Sequence, residues 1–259
     1  MSELQPSAVA KFLSQPAPVR LIATDMDGTL TRQSQFTADL LRGLEGLQAA
    51  GWPVVIVTGR SAGWVSGLVH YLPITGAMAE NGGVYFPKAA QPVAPELLSD
   101  IPDLMVHRQQ LRQVFIELQQ HWPQIQESAD NRFRLTDWTF EISGLTEPDL
   151  TNLSQICHRL GWGFTYSTVQ CHIFKPGQCK ATGLKTLLPR HFSHLSLMDV
   201  LTVGDSPNDE SLFDPQIFPY SVGVANVQHY WEQLSYRPAC VTHNAEVDGF
   251  LELVGTLLT

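Results

Sequence analysis

Two aspartates, Asp25 and Asp27, follow a short apolar run at 19–24 (VRLIAT) and precede Gly28 and Thr29. Thr58, Gly59 and Arg60 close a second run at 53–57 (PVVIV), and Gly204-Asp205-Ser206-Pro207-Asn208-Asp209 closes a third at 199–203 (DVLTV). Side chains two apart in extended chain can point the same way. Two carboxylates so placed repel, more strongly when buried. A hard divalent cation relieves the conflict, and magnesium commonly takes one or two carboxylates with water and a substrate phosphate. Asp205 can supply a further carboxylate, and Asn208 and Asp209 can orient the ligands. A carboxylate can attack phosphorus. Its neighbour two residues on can protonate the leaving alkoxide and later take a proton from water. Gly28 permits a sharp turn that lets backbone N–H groups face a phosphate. Thr58 and a lysine can bind phosphoryl oxygens as charge shifts in the transition state.

These residues need elements to bring them together. The three apolar runs read as buried parallel strands. The spacing predicts a helix capped by Thr37, with Leu40, Leu41, Leu44 and Leu47 on one face and Gly51 after its end. A second helix is predicted from 61 to about 71, and others over 180–188 and at the C-terminus, with a strand near 221–225. Strand, loop and helix in alternation describe a doubly wound α/β sheet with a Rossmann-like core. In such a sheet, ligands bind outside the carboxyl ends of the strands. The rhythm breaks at 87–95 (PKAAQPVAP), which reads as a linker. A helix through Leu111, Val114, Phe115, Leu118 and Trp122 follows, then a strand with Trp138, Phe140 and Ile142, a helix from Pro148 to Leu160, and a strand-like stretch over 164–174. The expected organisation is a loose leader at 1–18, a core formed by 19–87 and 178–259, and an inserted α/β cap domain at 88–177.

The three strand-end clusters together resemble the haloacid dehalogenase-like hydrolases: D-M-D-G-T at 25–29, T-G-R at 58–60, a lysine before the last motif, and G-D-S-P-N-D at 204–209. An insert between the second and third motifs, preceded by Glu80-Asn81-Gly82-Gly83, is similar to the Cof-like branch, whose cap closes over sugar phosphates and related metabolites. The resemblance implies Asp25 as nucleophile and Asp27 as general acid/base, with Thr58 and Lys180 holding the phosphoryl group. It implies Mg2+ on Asp25, the main-chain carbonyl of Asp27 and Asp205. Gly28, Gly59, Arg60 and Asn81 are the further candidates for phosphate or substrate contact, although Arg60 also reads as a surface arginine. Lys180 is preferred to Lys175 and Lys185 because it opens a helix after Pro176-Gly177, as in the family's lysine motif, with Ala181 in place of the usual glycine.

The resemblance implies a phosphomonoesterase acting on a small phosphorylated metabolite, with sugar phosphates foremost. GDSPNDESLF and VANVQ partly resemble sucrose-phosphate phosphatases, and the branch also includes mannosyl-3-phosphoglycerate phosphatases. Gly28 stands where sucrose-phosphate phosphatases typically carry asparagine. A phosphosugar mutase is the alternative, since a phosphomutase branch shares a similar D-x-D-G-T-L-T start and a similar cap. A non-catalytic phospho-ligand sensor would not need Asp25 and Asp27 together. The absence of G-x-x-x-x-G-K-[ST] argues against a P-loop enzyme.

Composition narrows the partners. With Lys+Arg 16 against Asp+Glu 25, the net charge of −9 gives no broad attraction to nucleic acid or anionic lipid. No span reads as transmembrane. The first 18 residues lack the pattern of a signal peptide, so a cytoplasmic protein is expected. Cys157, Cys171, Cys179 and Cys240 form no zinc pattern and read as reduced thiols. His172 beside Cys171 reads as structural, Arg132 and Arg134 as one solvated face of a cap strand, and Trp138 as packing or a sugar-stacking ring.

Overall fold

The structure is a computed structural model describing residues 8–13, 19–91, 93–167 and 169–259. Its main sheet has eight strands in the order β11-β10-β9-β1-β2-β3-β4-β5. These are β1 (Leu21–Thr24), β2 (Val54–Val57), β3 (Gly76–Ala79), β4 (Val84–Pro87), β5 (Glu96–Leu97), β9 (Val200–Gly204), β10 (Tyr220–Gly223) and β11 (Cys240–Val241). All pairs are parallel except those of β4 and β5 at one edge. The chain leaves β1 for β2 on one side and returns to β9 on the other. The crevice at which such a sheet binds ligands therefore lies at the carboxyl ends of β1 and β9.

Every residue of β1, β2, β3 and β9 is buried, because helices cover both faces. Ile22, Val54 and Ile56 face one layer, formed by α1 (Ala8–Leu13), α2 (Ala38–Ala49), α3 (Ala62–Tyr71) and α7 (Glu246–Leu257). Leu21, Ala23, Val55 and Val57 face the other, where α6 (Lys180–His191) packs with Phe213 and Phe218. In α2, Thr37 caps the Leu40 N–H at 3.1 Å, Leu40, Leu44 and Leu47 are buried, and Gly51 takes φ +79° just beyond the end. Leu41 turns outward instead of joining that face.

A second, three-stranded antiparallel sheet runs β6 (Asp137–Glu141), β8 (Gln170–Phe174), β7 (Gly163–Tyr166). On one face it carries α4 (Leu104–His121) and α5 (Glu147–Arg159). Trp138, Phe140, Cys171 and Ile173 point into that layer, with Leu111, Phe115 and Leu153 from the helices. Period two sends Asp137, Thr139, Gln170 and His172 to the opposite face, and all four are buried there too.

Three expectations change. Within the expected leader, Ala8–Leu13 is helical, and Val9 is buried with α2 and α7, because an apolar side chain there covers the end of the core; residues 1–7 and 14–18 lie outside the described residues. The stretch expected as a linker leads to β5, which pairs Leu97 with Val84 and Glu96 with Tyr85 in the main sheet, so the core continues past residue 88. The strand-like run at 164–174 is a hairpin of β7 and β8.

Candidate active site

Asp25 follows β1 directly, and its N–H donates to Val203 O at 2.8 Å, which locks the ends of β1 and β9 together. Asp205 follows β9 and is fully buried. Its Oδ1 accepts from Thr29 Oγ1 at 3.0 Å and its Oδ2 from Asn226 Nδ2 at 2.8 Å. Ser206 opens a 3₁₀ turn over Pro207–Leu212, and Asp209 completes its capping box. Asp209 Oδ2 accepts the N–H groups of Asp205 (2.9 Å) and Ser206 (3.1 Å), and its Oδ1 accepts from Lys180 Nζ at 2.6 Å. Lys180 is the first residue of α6 and fully buried, and its Nζ also donates to Asp25 Oδ1.

The electrostatics follow from this packing. Burial pushes Asp25 well above the usual carboxylate range; Lys180 opposes the shift, while Asp209 and Asp27 add to it. Burial does the same to Asp205, with Asp25 and Asp209 repelling it further. Burial disfavours the Lys180 ammonium, but Asp209 and Asp25 outweigh that, and the net shift is upward. Carboxylate oxygens of Asp25, Asp205 and Asp209 lie within 4.8 Å of one another. Three buried carboxylates against one ammonium leave two negative charges uncompensated, which is the charge of one divalent cation. An all-oxygen donor set fits magnesium. Asp209 accepts from the Lys180 ammonium on one oxygen and from two backbone N–H groups on the other, which suits it to positioning Lys180 and the Asp205 loop, whereas each Asp205 oxygen accepts a single neutral donor and keeps a lone pair for a cation.

Gly28 is needed here for a reason the sequence did not show. It takes φ +81°, and a Cβ on it would lie 2.5 Å from Asp205 Oδ2. Its own N–H, expected to face a phosphate, donates to Thr31 Oγ1 at 3.0 Å. Alanine at 28 should combine a strained backbone, about 1–3 kcal/mol, with displacement of Asp205. Chemical denaturation should read the first effect and a fall in turnover the second.

Asp27 stands outside the carboxylate trio. Arg60 binds it through both oxygens, at 2.8 and 2.6 Å, and the Asp27 hydrogen bond raises the Arg60 pKa further. The surface reading of Arg60 does not hold: the side chain is mostly covered and lies over Trp64 at 5.0 Å. Thr58 Oγ1 accepts the Arg60 N–H at 3.1 Å, which directs its own O–H elsewhere, and the residue lines the cleft. Asn81, at φ 52°, follows Glu80 at φ 54°. Asn81 N–H donates to Thr58 O at 3.0 Å and Asn81 Oδ1 accepts from Asn208 Nδ2 at 3.0 Å, so Asn81 joins the second and third clusters. Glu80 is buried and accepts from Ala62 N, Leu135 N and Thr136 N, which ties the main sheet to the chain entering β6. Its pKa is raised by burial and by Asp137.

The polar face of the small sheet roofs this cleft. Asp25, Asp27, Thr58, Gly59 and Arg60 form the floor, with Ser206 and Asn208, and Ser167, Val169, Gln170 and His172 form the roof. The space between floor and roof, partly open to solvent, measures about 10 Å³, close to that of one water molecule. Arg134 Nη1 donates to Gly59 O at 3.0 Å and to Asp137, while Nη2 reaches Asp130 and Gln170. Three readings are corrected here. Arg134 is buried rather than solvated, because Asp130 and Asp137 neutralise it, and 131–133 is a 3₁₀ turn rather than a strand. His172 lines the cleft rather than serving packing alone. Trp138 lies inside the cap layer under Arg108, out of reach of a sugar.

Asn226 and His172 are the functional candidates that sequence reasoning missed. Asn226 donates to both Asp205 and Gly28 O, and its position in VANVQ was the available signal. The four cysteines are unpaired thiols. No described helix is long and apolar enough to cross a membrane.

The family model for haloacid dehalogenase-like hydrolases matches residues 22–137. The chain is 30% identical over 247 residues to a phosphoglycolate phosphatase of Haloarcula marismortui, covering 90% of this chain and 95% of that one. Among solved structures it resembles protein 0175 of Thermoplasma acidophilum, with TM-score 0.72 and 19% identity over 93% of this chain and 99% of that one. It also resembles the sucrose-phosphatase of Synechocystis, solved with sucrose and phosphate, with TM-score 0.63 and 15% identity over 91% and 96% of the two chains.

Proposed function

The chain belongs to the haloacid dehalogenase-like hydrolases and is a phosphatase, and from that premise we propose a magnesium-dependent phosphomonoesterase that carries the phosphoryl group on Asp25. The observation that supports this most is the buried trio of Asp25, Asp205 and Asp209 around Lys180, with Asp27 held apart from it. Lys180 engages Asp25 Oδ1, so Oδ2 is the oxygen directed to attack. A bond forms from Oδ2 to phosphorus as the bond to the ester oxygen breaks, and Asp27 gives the departing alkoxide its proton. Water then attacks the aspartyl-phosphate, Asp27 takes the proton, and Asp25 and inorganic phosphate are released. Arg60 occupies both Asp27 oxygens, so proton donation requires that fork to open, and a phosphoryl group offers Arg60 another anion. Thr58 and Lys180 hold phosphoryl oxygens. Asp25, Asp205 and the main-chain carbonyl of Asp27 would hold Mg2+, which supplies charge stabilisation to the phosphoryl oxygens when bound.

The substrate is a small phosphorylated metabolite, with sugar phosphates the first choice, since a roof over the strand ends excludes large partners and uses the non-reacting part of the substrate for closure. A short phospho-acid is the second reading, favoured by the relatives named phosphoglycolate phosphatase and by Arg60 as a partner for a carboxylate. The test is phosphate release with Mg2+ across sugar phosphates, phosphoglycolate, nucleotides and phosphopeptides, compared by kcat/KM. Release marks hydrolysis, whereas a mutase would return an isomer and little phosphate. A wide margin for nucleotides or phosphopeptides would sink the small-metabolite reading. In the same assay Asp27→Asn should lower kcat by about 10²–10⁴, and a change under threefold would remove Asp27 from the proton-transfer role.

A further inference from the structure

The Thr58–Gly59–Arg60 loop has three backbone carbonyls, and each accepts an N–H from outside the loop. Asn81 N–H donates to Thr58 O and Glu80 N–H to Arg60 O, both at 3.0 Å. These two donors belong to the core, in the turn that follows β3. The middle donor comes from the cap: Arg134 Nη1 donates to Gly59 O at 3.0 Å. Gly59 C=O and Arg60 N–H share one peptide plane, which is rigid. At the other end of that plane, Arg60 N–H donates to Thr58 Oγ1 at 3.1 Å. A tilt at Gly59 O therefore moves the partner of the Thr58 hydroxyl.

The hydrogen bonds of Arg134 leave it this one outward contact. A guanidinium has five N–H donors in a fixed fork. Four stay inside the cap. Nε reaches Asp130 Oδ1 at 3.1 Å, Nη2 reaches Asp130 Oδ2 at 2.9 Å and Gln170 Oε1 at 2.8 Å, and Nη1 reaches Asp137 Oδ2 at 2.9 Å. The fifth is the Nη1 bond to Gly59 O. The side chain is fully buried, and Asp130 and Asp137 compensate its charge. The cap thus fixes the guanidinium, and no donor is left for a substrate. Any effect of Arg134 on the reaction must pass through the loop, whose Thr58 lines the cleft and whose Arg60 forks onto Asp27.

We propose that Arg134 is a positioning residue for phosphoryl transfer: by holding Gly59 O from the cap it orients the Thr58 hydroxyl, so that the phosphoryl-binding loop is complete only while the cap is closed. Closure over a substrate and assembly of the loop are then one event. This rests on the phosphatase reading above and adds to it a residue of the cap layer that touches no substrate.

The experiment measures phosphate release from phenyl phosphate with Mg2+, a poorly fitting ester chosen so that bond cleavage rather than cap reopening sets kcat. Arg134→Lys keeps a positive charge beside Asp130 and Asp137 but lacks the planar fork. It should lower kcat roughly 10- to 100-fold, with KM changed less than about threefold. In a Thr58→Ala background the same substitution should cost less than about threefold, because the hydroxyl it would misplace is already gone. Should the lysine variant not fold, Arg134→Met with Asp137→Asn removes the guanidinium together with the buried carboxylate it neutralises, and the same pattern is expected. A kcat within threefold of wild type in a folded variant overturns the proposal. A loss of equal size with and without the Thr58 hydroxyl also overturns it, since a cap that is merely loosened costs the same in both backgrounds. Absence of phosphate release by the wild-type protein from every ester, phenyl phosphate included, would fail the underlying phosphatase reading and is distinct from either result.

Discussion

Asparagine at position 25 should give a folded protein that no longer turns over. The amide has nearly the carboxylate's shape but is a poor nucleophile. Lys180 keeps its bond to Asp209 at 2.6 Å, so the buried ammonium is not left unpaired. The change also removes one negative charge from a cluster whose burial and mutual repulsion push Asp25 and Asp205 upward. Apo stability should therefore be unchanged or higher. Loss of a nucleophile in a cooperating constellation commonly costs on the order of 10⁴–10⁶ in kcat, and a fall in that range is expected. Beryllofluoride should bind the wild-type protein at Asp25 and fail to bind the variant. Asp25→Asn turnover within tenfold of wild type would mean that another group attacks phosphorus.

Removal of divalent metal should abolish phosphate release, and restored magnesium should recover it. The structural reason is the imbalance of three buried carboxylates and one lysine. A cation that binds only the folded chain stabilises it by about 2.7 kcal/mol at a hundredfold excess over Kd. That corresponds to a rise in Tm of roughly 5–10 °C for a chain of this size. Thermal melts with and without Mg2+ measure this independently of activity. In Asp205→Asn the rise should shrink sharply. Full activity in chelator, with no Mg2+ effect on Tm, would refute the site.

The core was legible because its signals are local. Apolar runs ending in polar clusters at Asp25, Thr58 and Asp205 specify strand ends, and the doubly wound pattern brings those ends together. Lys180 was recognisable by its place at a helix start and lies where expected. The roof was less legible. Asp137, Thr139, Gln170 and His172 alternate with apolar residues, and alternation alone cannot tell a solvated face from a polar face buried against another layer. Arg134 was misread for the same reason: its partners Asp130 and Asp137 and its contact with Gly59 O exist only once the two sheets meet. The edge strand β5 was hidden by the prolines that precede it, and β4 by the proline that ends it, since an edge strand and a strand end both tolerate proline. VANVQ marks Asn226 only as part of a resemblance, and its place at Asp205 becomes visible once β10 is known to lie beside β9.

A cavity with space for about one water cannot admit even a two-carbon phosphate ester. Entry and exit then call for the roof to lift, which would break the Arg134–Gly59 bond; the Glu80 bonds to Leu135 and Thr136 are another link between the two layers. Apparent affinity is then the intrinsic affinity scaled by the fraction of molecules standing open; an open population of about 1% weakens it about a hundredfold. Release of phosphate passes the same shutter, and where reopening is slower than bond cleavage it sets turnover on good substrates. Solvent viscosity then acts on kcat, and slow, poorly fitting esters escape that dependence because their chemistry is the slower event.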